Sequence, residues 1–263
     1  MAAALPCWNA ICRDSGVRGR RRAFVCVMAV SVLPVVAVDN PPALCAGDIV
    51  AKMNQTEQDR DRTLTTYTAL RHYMLRDSKG RAAQMTVRLS YHTSSGKSFE
   101  VLSQNGADGI FGHVLEKVMQ AEAENSRNKG PRGELISPLN YDFRLLGMGE
   151  QGGRRCYVIQ LLPKRKSKFL IDGEAWIDSE DFALVRMEGR TAASVSFWIG
   201  RPWVVQCFEK VGNYWLASKN DSVADAKFIG RTELTVESSD YSVPGLPPEQ
   251  VAQRLGTTVP RNQ

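Results

Sequence analysis

The sequence predicts a mainly β protein built on a large, curved antiparallel sheet. Three observations support this fold class. Between Lys168 and Gly189, two runs of alternating residues flank the polar turn Ser179-Glu180-Asp181, a pattern typical of a β-hairpin. From Ser137 onwards, short strand-like runs follow one another at even spacing with turn residues between them. Before residue 137, only two segments have helical periodicity.

The first element is a predicted helix from Asp48 to Arg62, with Asp48 as its N-cap and Ile49, Val50 and Met53 on one face. Three strands are predicted between this helix and the second one, at Leu64 to Leu75, Met85 to Tyr91 and Phe99 to Leu102. In the strand from Leu64, Arg71 interrupts an otherwise apolar side.

The second predicted helix runs from Asp108 to about Ser126, with Asp108 as the N-cap. It carries a wide apolar stripe at helical spacing, formed by Ile110, Phe111, Val114, Leu115, Val118 and Met119. Two interpretations stay open. The stripe is ordinary packing against a sheet, or the helix is a lid over a ligand groove, because a loosely covered sheet face needs an apolar partner.

Later strands are predicted at Tyr141 to Leu145, Cys156 to Leu162, Phe169 to Asp178, Phe182 to Met187, Ser194 to Ile199, Trp203 to Val211, Tyr214 to Ser218 and Val223 to Ser238. In the hairpin strand, Phe169, Ile171, Ala175 and Ile177 alternate with Leu170, Asp172, Glu174 and Asp178. We expect the three acidic residues to be solvated, since charged side chains are rarely buried unless paired. A Pro-rich tail follows Tyr241, with at most a short helix from Pro248 to Leu255.

The N-terminus has the layout of a secretory signal peptide: the basic segment Arg18 to Arg22, the apolar run Ala23 to Val38, and small residues at Ala37, Ala43 and Ala46. A cleavable signal and an uncleaved anchor both fit, although the apolar run is shorter than a spanning helix. We therefore expect an exported protein. The predicted organisation is a leader over 1–46, a β domain over 47–243 and a tail over 244–263.

Half of the formal net charge of +6 lies before residue 47. The remaining chain has one basic run, Lys164 to Lys168, which we expect to be a solvated loop. Without a concentrated basic face, no nucleic-acid partner is predicted. Cys156 and Cys207 fall in predicted strands and fit either a disulfide in an oxidising compartment or two buried thiols.

No motif in the chain points to catalysis, a metal or another cofactor. Gly147 to Gly152 matches G-x-G-x-x-G, but a strand rather than a helix follows it, so a turn is the better interpretation. The histidines His72, His92 and His113 are far apart and have no metal-binding spacing. The sequence thus favours a binding protein over an enzyme.

Four features together resemble the LolA/LolB-like carriers, in particular outer-membrane lipoprotein-sorting proteins. They are the export signal with a helix ending at Gln58-Asp59-Arg60, the apolar helix Ile110 to Met119 between early strands, the segment GEAWIDSEDFALVRMEG, and the closing FIGRTELTVESSDYSV. The resemblance covers Asp48 to Val243. The classical carrier has a Lys-Arg-Pro segment after its second strand, whose arginine holds a lid closed. Here Leu89 to Thr93 contains no such segment, so no arginine is assigned that role.

The resemblance implies an open half-barrel with helices on its concave face and a cavity for acyl chains. The cavity residues it implies are Tyr67, Tyr73, Val87, Leu89, Tyr91, Tyr141 and Phe143, with the helix stripe as the lid. The implied partners are lipoprotein acyl chains or lipid, together with a protein of the inner or outer membrane. A periplasmic sensor of the same fold, which binds a membrane regulator, is the alternative.

Overall fold

A computed structural model describes residues 44–106, 109–127, 136–197, 199–227 and 230–246. By its internal contacts the chain divides into Met1–Pro42 and Ala43–Gln263, and every described residue belongs to the second unit. The predicted leader up to residue 43 and the predicted helix from Pro248 to Leu255 lie outside the described residues.

The described residues form two helices and ten strands. In chain order they are α1 (Ala46–Thr63), β1 (Thr66–Asp77), β2 (Ala82–His92), β3 (Gly96–Asn105), α2 (Ile110–Arg127), β4 (Tyr141–Gln151), β5 (Arg154–Pro163), β6 (Ile171–Asp178), β7 (Leu184–Thr191), β8 (Trp203–Val211), β9 (Tyr214–Ala226) and β10 (Gly230–Ser242). All strands belong to one antiparallel sheet in the order β3-β2-β1-β10-β9-β8-β7-β6-β5-β4. The edge strands β3 and β4 do not pair with each other, so the sheet is open, as predicted.

Both helices lie on the same face of this sheet, here called the inner face. Directly opposed residues of neighbouring strands share a face, and one row of them crosses the whole sheet. It runs through Leu145, Ile159, Ala175, Met187, Gln206, Asn220, Val236, Tyr73, Met85 and Gln104. Ile159 and Ala175 pack with α1, whereas Tyr73 and Met85 pack with α2. The expectation of helices on one face of an open sheet is therefore confirmed.

Helix α1 covers the half of the inner face formed by β4 to β7. Its buried residues Ile49, Val50 and Met53 pack into one apolar cluster with Tyr141, Ile159, Leu161, Leu170, Ala175 and Ile177. Cys45, rather than the predicted Asp48, is the N-cap. Asp48 lies one turn later, and its carboxylate accepts a hydrogen bond from the Cys45 N–H at 3.2 Å, which ties the first turn.

The hairpin of β6 and β7 forms as predicted, but two details differ. Leu170 is fully buried and Phe169 is 45% exposed, the reverse of the predicted faces, because β6 begins only at Ile171 and a turn precedes it. Asp178 is not solvated. It is 1% exposed and bonds the guanidinium of Arg154, while its Oδ1 accepts the backbone N–H groups of Glu180 and Asp181.

Two of the predicted strands differ from the structure. The described part of Ser194 to Ile199 is a bend with a single bridge at Ile199 rather than a strand. The predicted run Val223 to Ser238 is the end of β9 followed by the start of β10.

Cys156 and Cys207 are both free thiols, so the disulfide alternative is wrong. Burial raises the pKa of Cys156 to about 11, which makes its thiol unreactive.

Candidate functional site

The candidate site is the contact between helix α2 and the inner face of β1, β2 and β10. The buried side chains of α2 are Phe111, Leu115, Met119 and Ala123. The first three pack in one cluster with Tyr73, Leu75, Ala83, Met85, Val87 and Val236. Leu115 is fully buried in this cluster, whereas Ile110, at the first position of the helix, is 50% exposed.

A charged cluster joins the C-terminal half of α2 to the sheet. The carboxylate of Glu122 accepts hydrogen bonds from Arg71 Nη1 of β1 and from Lys97 Nζ of β3, both at 2.6 Å. Arg71 is 5% exposed, although it lies on a side of β1 that is otherwise apolar. The helix is thus attached by ion pairs between three partly or fully buried charges, in addition to its apolar stripe.

The ionisation of this cluster follows from its charges. Burial alone raises the pKa of Glu122, but the positive charges of Lys97 and Arg71 outweigh it and lower that pKa to about 2. Burial also opposes the charge of Arg71, yet the carboxylate of Glu122 raises the pKa of Arg71 above its ordinary value. Glu122 and Arg71 are therefore both charged at neutral pH.

The last turn of α2 is held by a second contact at the start of β3. The Ser126 hydroxyl accepts the backbone N–H of Lys97 at 2.7 Å and donates to the carbonyl of Ala123. Gly96 lies against the same turn, where a Cβ atom would be 2.6 Å from Ser126 Oγ. Its φ of +74° also favours glycine. The C-terminal end of α2 is thus attached to the start of β3 by a hydrogen bond and by close packing against Gly96, in addition to apolar contacts.

Two donors beneath α2 have no acceptor. The Nε of Arg71 and the hydroxyl of Tyr73 are buried and have no acceptor, although the guanidinium lies close enough to the hydroxyl oxygen to interact with it. Tyr73 is 1% exposed, and burial raises its pKa to about 12, so the hydroxyl keeps its proton. Unpaired buried polar groups of this kind are destabilising.

The structure divides the seven predicted cavity residues among three apolar clusters of the inner face. Tyr73 and Val87 lie beneath α2. Tyr67 and Leu89, with Tyr91 beside them, pack where α1 leads into β1. Tyr141, with Phe143 beside it, lies beneath α1 at the other end of the sheet. Five of the six predicted lid residues lie in or against the first of these clusters, and the sixth, Ile110, is half exposed.

A polar stretch separates the areas covered by the two helices. Gln206 of β8 and Asn220 of β9 oppose each other midway along the row that crosses the inner face. Asn220 Nδ2 donates to Gln206 Oε1 at 2.8 Å, and Gln206 Nε2 donates to the Lys219 carbonyl at 3.1 Å. An apolar ligand space beneath α2 therefore does not extend across β8 and β9 to Tyr141 and Phe143.

An open groove of about 370 Å³ runs between α2 and the edge strand β3. Phe99, Met119 and Ala123 give it an apolar side, and charged residues of α2 and β3 surround it. Near the other end of α2, Val101 of β3 is 48% exposed although it pairs with the fully buried Val87. Apolar surface thus extends from the cluster beneath α2 to solvent along β3.

Within the described residues, no group of three or more His, Cys, Asp or Glu side chains is arranged to hold a metal ion. Neither α1 nor α2 has the length and apolar character that a membrane-spanning helix requires.

Comparison with known proteins gives structural matches alone. No protein-family profile matches the sequence, and no curated protein is significantly similar to it. A LolA superfamily protein from Nitrosomonas europaea matches in structure with 12% sequence identity and a TM-score of 0.38, over 80% of this chain and 99% of that one. A domain described as that of an outer membrane lipoprotein-sorting protein, from Vibrio parahaemolyticus, matches with 11% identity and a TM-score of 0.40, over 76% and 95%.

The MucA/MucB complex from Pseudomonas aeruginosa also supplies a matching chain, with 11% identity and a TM-score of 0.27, over 78% of this chain and 96% of that one. The resemblance drawn from the sequence is confirmed to this extent: the superfamily that it names is among the matching structures. At TM-scores below 0.5, these structures carry no inference about a ligand or partner.

Proposed function

We propose that this protein is an exported carrier that binds acyl chains of lipids or lipoproteins between α2 and the inner face of the sheet. The ligand space is the cluster beneath α2, which includes Tyr73 and Val87 of the predicted cavity residues. Helix α2 is the lid, and its apolar stripe covers the alkyl chain or, when no ligand is bound, the sheet. Transfer to the outer membrane is the proposed purpose of binding.

The observation that carries this proposal is the charged cluster of Arg71, Lys97 and Glu122. A helix held only by apolar packing loses all of that burial when it leaves a sheet. Buried ion pairs behave differently, because the charges regain hydration when they separate and this offsets much of the lost attraction. Attachment through Glu122 therefore positions α2 accurately, and the hydration that the charges regain on separation reduces the cost of displacing it.

The exposed apolar residues support an entry route along β3. Val101 and Leu102 of this edge strand are 48% and 42% exposed, and Ile110 at the start of α2 is 50% exposed. Exposed apolar surface next to a buried apolar cluster is typical of a binding groove rather than of a sealed core. Export is proposed from the basic and apolar segments before residue 39.

Mass spectrometry of organic extracts from the purified protein tests the proposal. Protein recovered from a bacterial host should carry fatty acid or phospholipid in amounts close to one chain per molecule. The matched control is Val87→Glu, which places a charge beneath α2 and should give an extract without lipid; circular dichroism checks that the sheet still forms, because Val87 is fully buried. Wild-type protein that carries no lipid and binds no added fluorescent acyl probe would contradict the proposal.

The alternative is a periplasmic interaction protein that binds a membrane regulator, and the edge strand β4 favours it. Leu145, Leu146 and Met148 of this strand are 38%, 47% and 46% exposed, and one edge of β4 has no partner strand among the described residues. Such an edge can accept a strand from another protein. Lipid-free protein that captures an inner-membrane protein, with capture lost in Leu146→Lys, would favour this alternative.

A further inference from the structure

The unpaired donors beneath α2 define a more specific site. Arg71 and Tyr73 occupy neighbouring inward positions on β1, and each has one polar atom that is buried without an acceptor. Arg71 already uses its Nη1 for Glu122, which leaves Nε as the free donor. The ring of Tyr73 belongs to the apolar cluster beneath α2. A charged donor, Arg71 Nε, and a neutral donor, the Tyr73 hydroxyl, thus lie beside the apolar cluster beneath α2.

We propose that Arg71 Nε and the Tyr73 hydroxyl bind the carboxylate of a long-chain fatty acid whose alkyl chain lies in the cluster beneath α2. This inference rests on the proposed acyl-binding function and names the chemical class of the ligand. One carboxylate accepts both donors at once, and a hydrogen bond from a guanidinium to a carboxylate is among the stronger types.

The charge of the site favours a carboxylate over a neutral ester carbonyl. Arg71 and Lys97 contribute two positive charges, and Glu122 balances one of them. Lys97 lines the open groove, whereas Arg71 is 5% exposed, so an anionic ligand head beside Arg71 adds a negative charge where the positive charge is most buried. The carboxyl end of a fatty acid supplies one negative charge and only acceptor atoms, which complements two donors.

Palmitate and methyl palmitate separate this inference from the proposed function. Both have the same alkyl chain, but only palmitate has the charge. The inference predicts that the wild-type protein binds palmitate at least tenfold more tightly than methyl palmitate, from the usual strength of a hydrogen bond to a charged group. If neither compound binds, the proposed function is wrong. If both bind equally, only the carboxylate site is wrong, and water satisfies the two donors.

Tyr73→Phe is the decisive variant because it removes one buried hydroxyl whose proton has no acceptor in the structure. Its melting temperature should equal or exceed that of the wild type, while palmitate binding should weaken roughly tenfold and methyl palmitate binding should not change. Tyr157→Phe, beneath α1, is the matched control and should alter neither affinity. Unchanged palmitate affinity in Tyr73→Phe would overturn the inference.

Discussion

Replacing Glu122 with glutamine should release helix α2 without unfolding the sheet. The substitution keeps the shape of the side chain but removes the charge that Arg71 and Lys97 both contact at 2.6 Å. A pKa lowered from 4.5 to about 2 corresponds to about 3 kcal/mol of docking free energy, at roughly 1.4 kcal/mol per pKa unit. The docking equilibrium of α2 should therefore shift roughly 100-fold towards the open form.

Amide hydrogen exchange measures this shift directly. At pH 7, the protection factors of α2 amides such as that of Leu115 should fall by about two orders of magnitude in Glu122→Gln, whereas those of β5 and β6 should stay within experimental error. The control is Glu100→Gln, because Glu100 pairs with Arg88 at 2.8 Å on the outside of the sheet, where both side chains are more than half exposed. Exposed pairs contribute little, so this variant should leave α2 protected.

The same cluster predicts a pH dependence of the wild-type protein. The docked form lowers the pKa of Glu122, so its contribution is complete above the ordinary pKa of 4.5 and is lost as the pH falls towards 2. As the pH falls from 4.5 towards 2, the protection factors of α2 amides, relative to those of the sheet, should fall towards the values found for Glu122→Gln at pH 7. Equal protection of α2 in wild type and Glu122→Gln, or an equal loss in the sheet, would refute the reasoning.

Two further predictions concern export and the hairpin. A fusion of residues 1–50 to a reporter that is active only outside the cytoplasm should be active, and the mature protein should begin between Val38 and Gly47; a cytoplasmic protein that retains Arg18 to Arg22 would contradict export. Trp176 is partly buried, as predicted, and the guanidinium of Arg186 lies 5.4 Å from its ring centre. Because it is not fully buried, Trp176→Ala should lower the free energy of unfolding by about 2–3 kcal/mol in urea titration, less than for a fully buried tryptophan; a loss below about 0.5 kcal/mol would place the ring in solvent.

The sheet could be predicted from the sequence because its alternation is local. In β2, Met85, Val87 and Leu89 follow a period of two, and all three are buried. The boundary between β9, which ends at Ala226, and β10, which begins at Gly230, was not predicted, because glycine and proline are nearly absent between Val223 and Ser238. The only turn signal there is Gly230, whose φ is +79°.

The candidate site was less accessible to prediction from the sequence. In the sequence, Arg71 appears only as an interruption of an apolar strand face, and nothing distinguishes Glu122 except its place three residues beyond the stripe residue Met119. Such charges on apolar faces are the signal that could have identified the site. Their pairing could not be predicted, because Arg71 and Glu122 are 51 positions apart and meet only after β3 and α2 have folded onto the sheet.

The same limit applies to Asp178. The sequence predicts a solvated residue here, as at Asp172 and Glu174, since all three alternate on one predicted strand face. Its burial depends on Arg154, which is 24 positions earlier on β5. Alternation predicts strand β6, but the residue that makes the burial of Asp178 favourable lies on the neighbouring strand β5.

The central claim is that α2 is a displaceable lid whereas α1 belongs to the permanent core. Leu115 of α2 and Ile49 of α1 are both fully buried, so they form a matched pair. If both helices are core, Leu115→Ala and Ile49→Ala should each cost about 2–5 kcal/mol. If α2 is a lid, the cost of Leu115→Ala is limited to the free energy of docking α2.

The most direct measurement is therefore the free energy of unfolding and the affinity for a fluorescent fatty acyl probe, on these two variants and the wild type. We predict that Ile49→Ala loses about 2–5 kcal/mol and keeps the wild-type probe affinity. Leu115→Ala should lose less than Ile49→Ala, and no more than the docking free energy of α2, and should bind the probe at least tenfold more weakly, in line with the removal of buried apolar contacts. Equal losses of stability in the two variants, with the same probe affinity in every folded protein, would contradict the account and identify α2 as ordinary core.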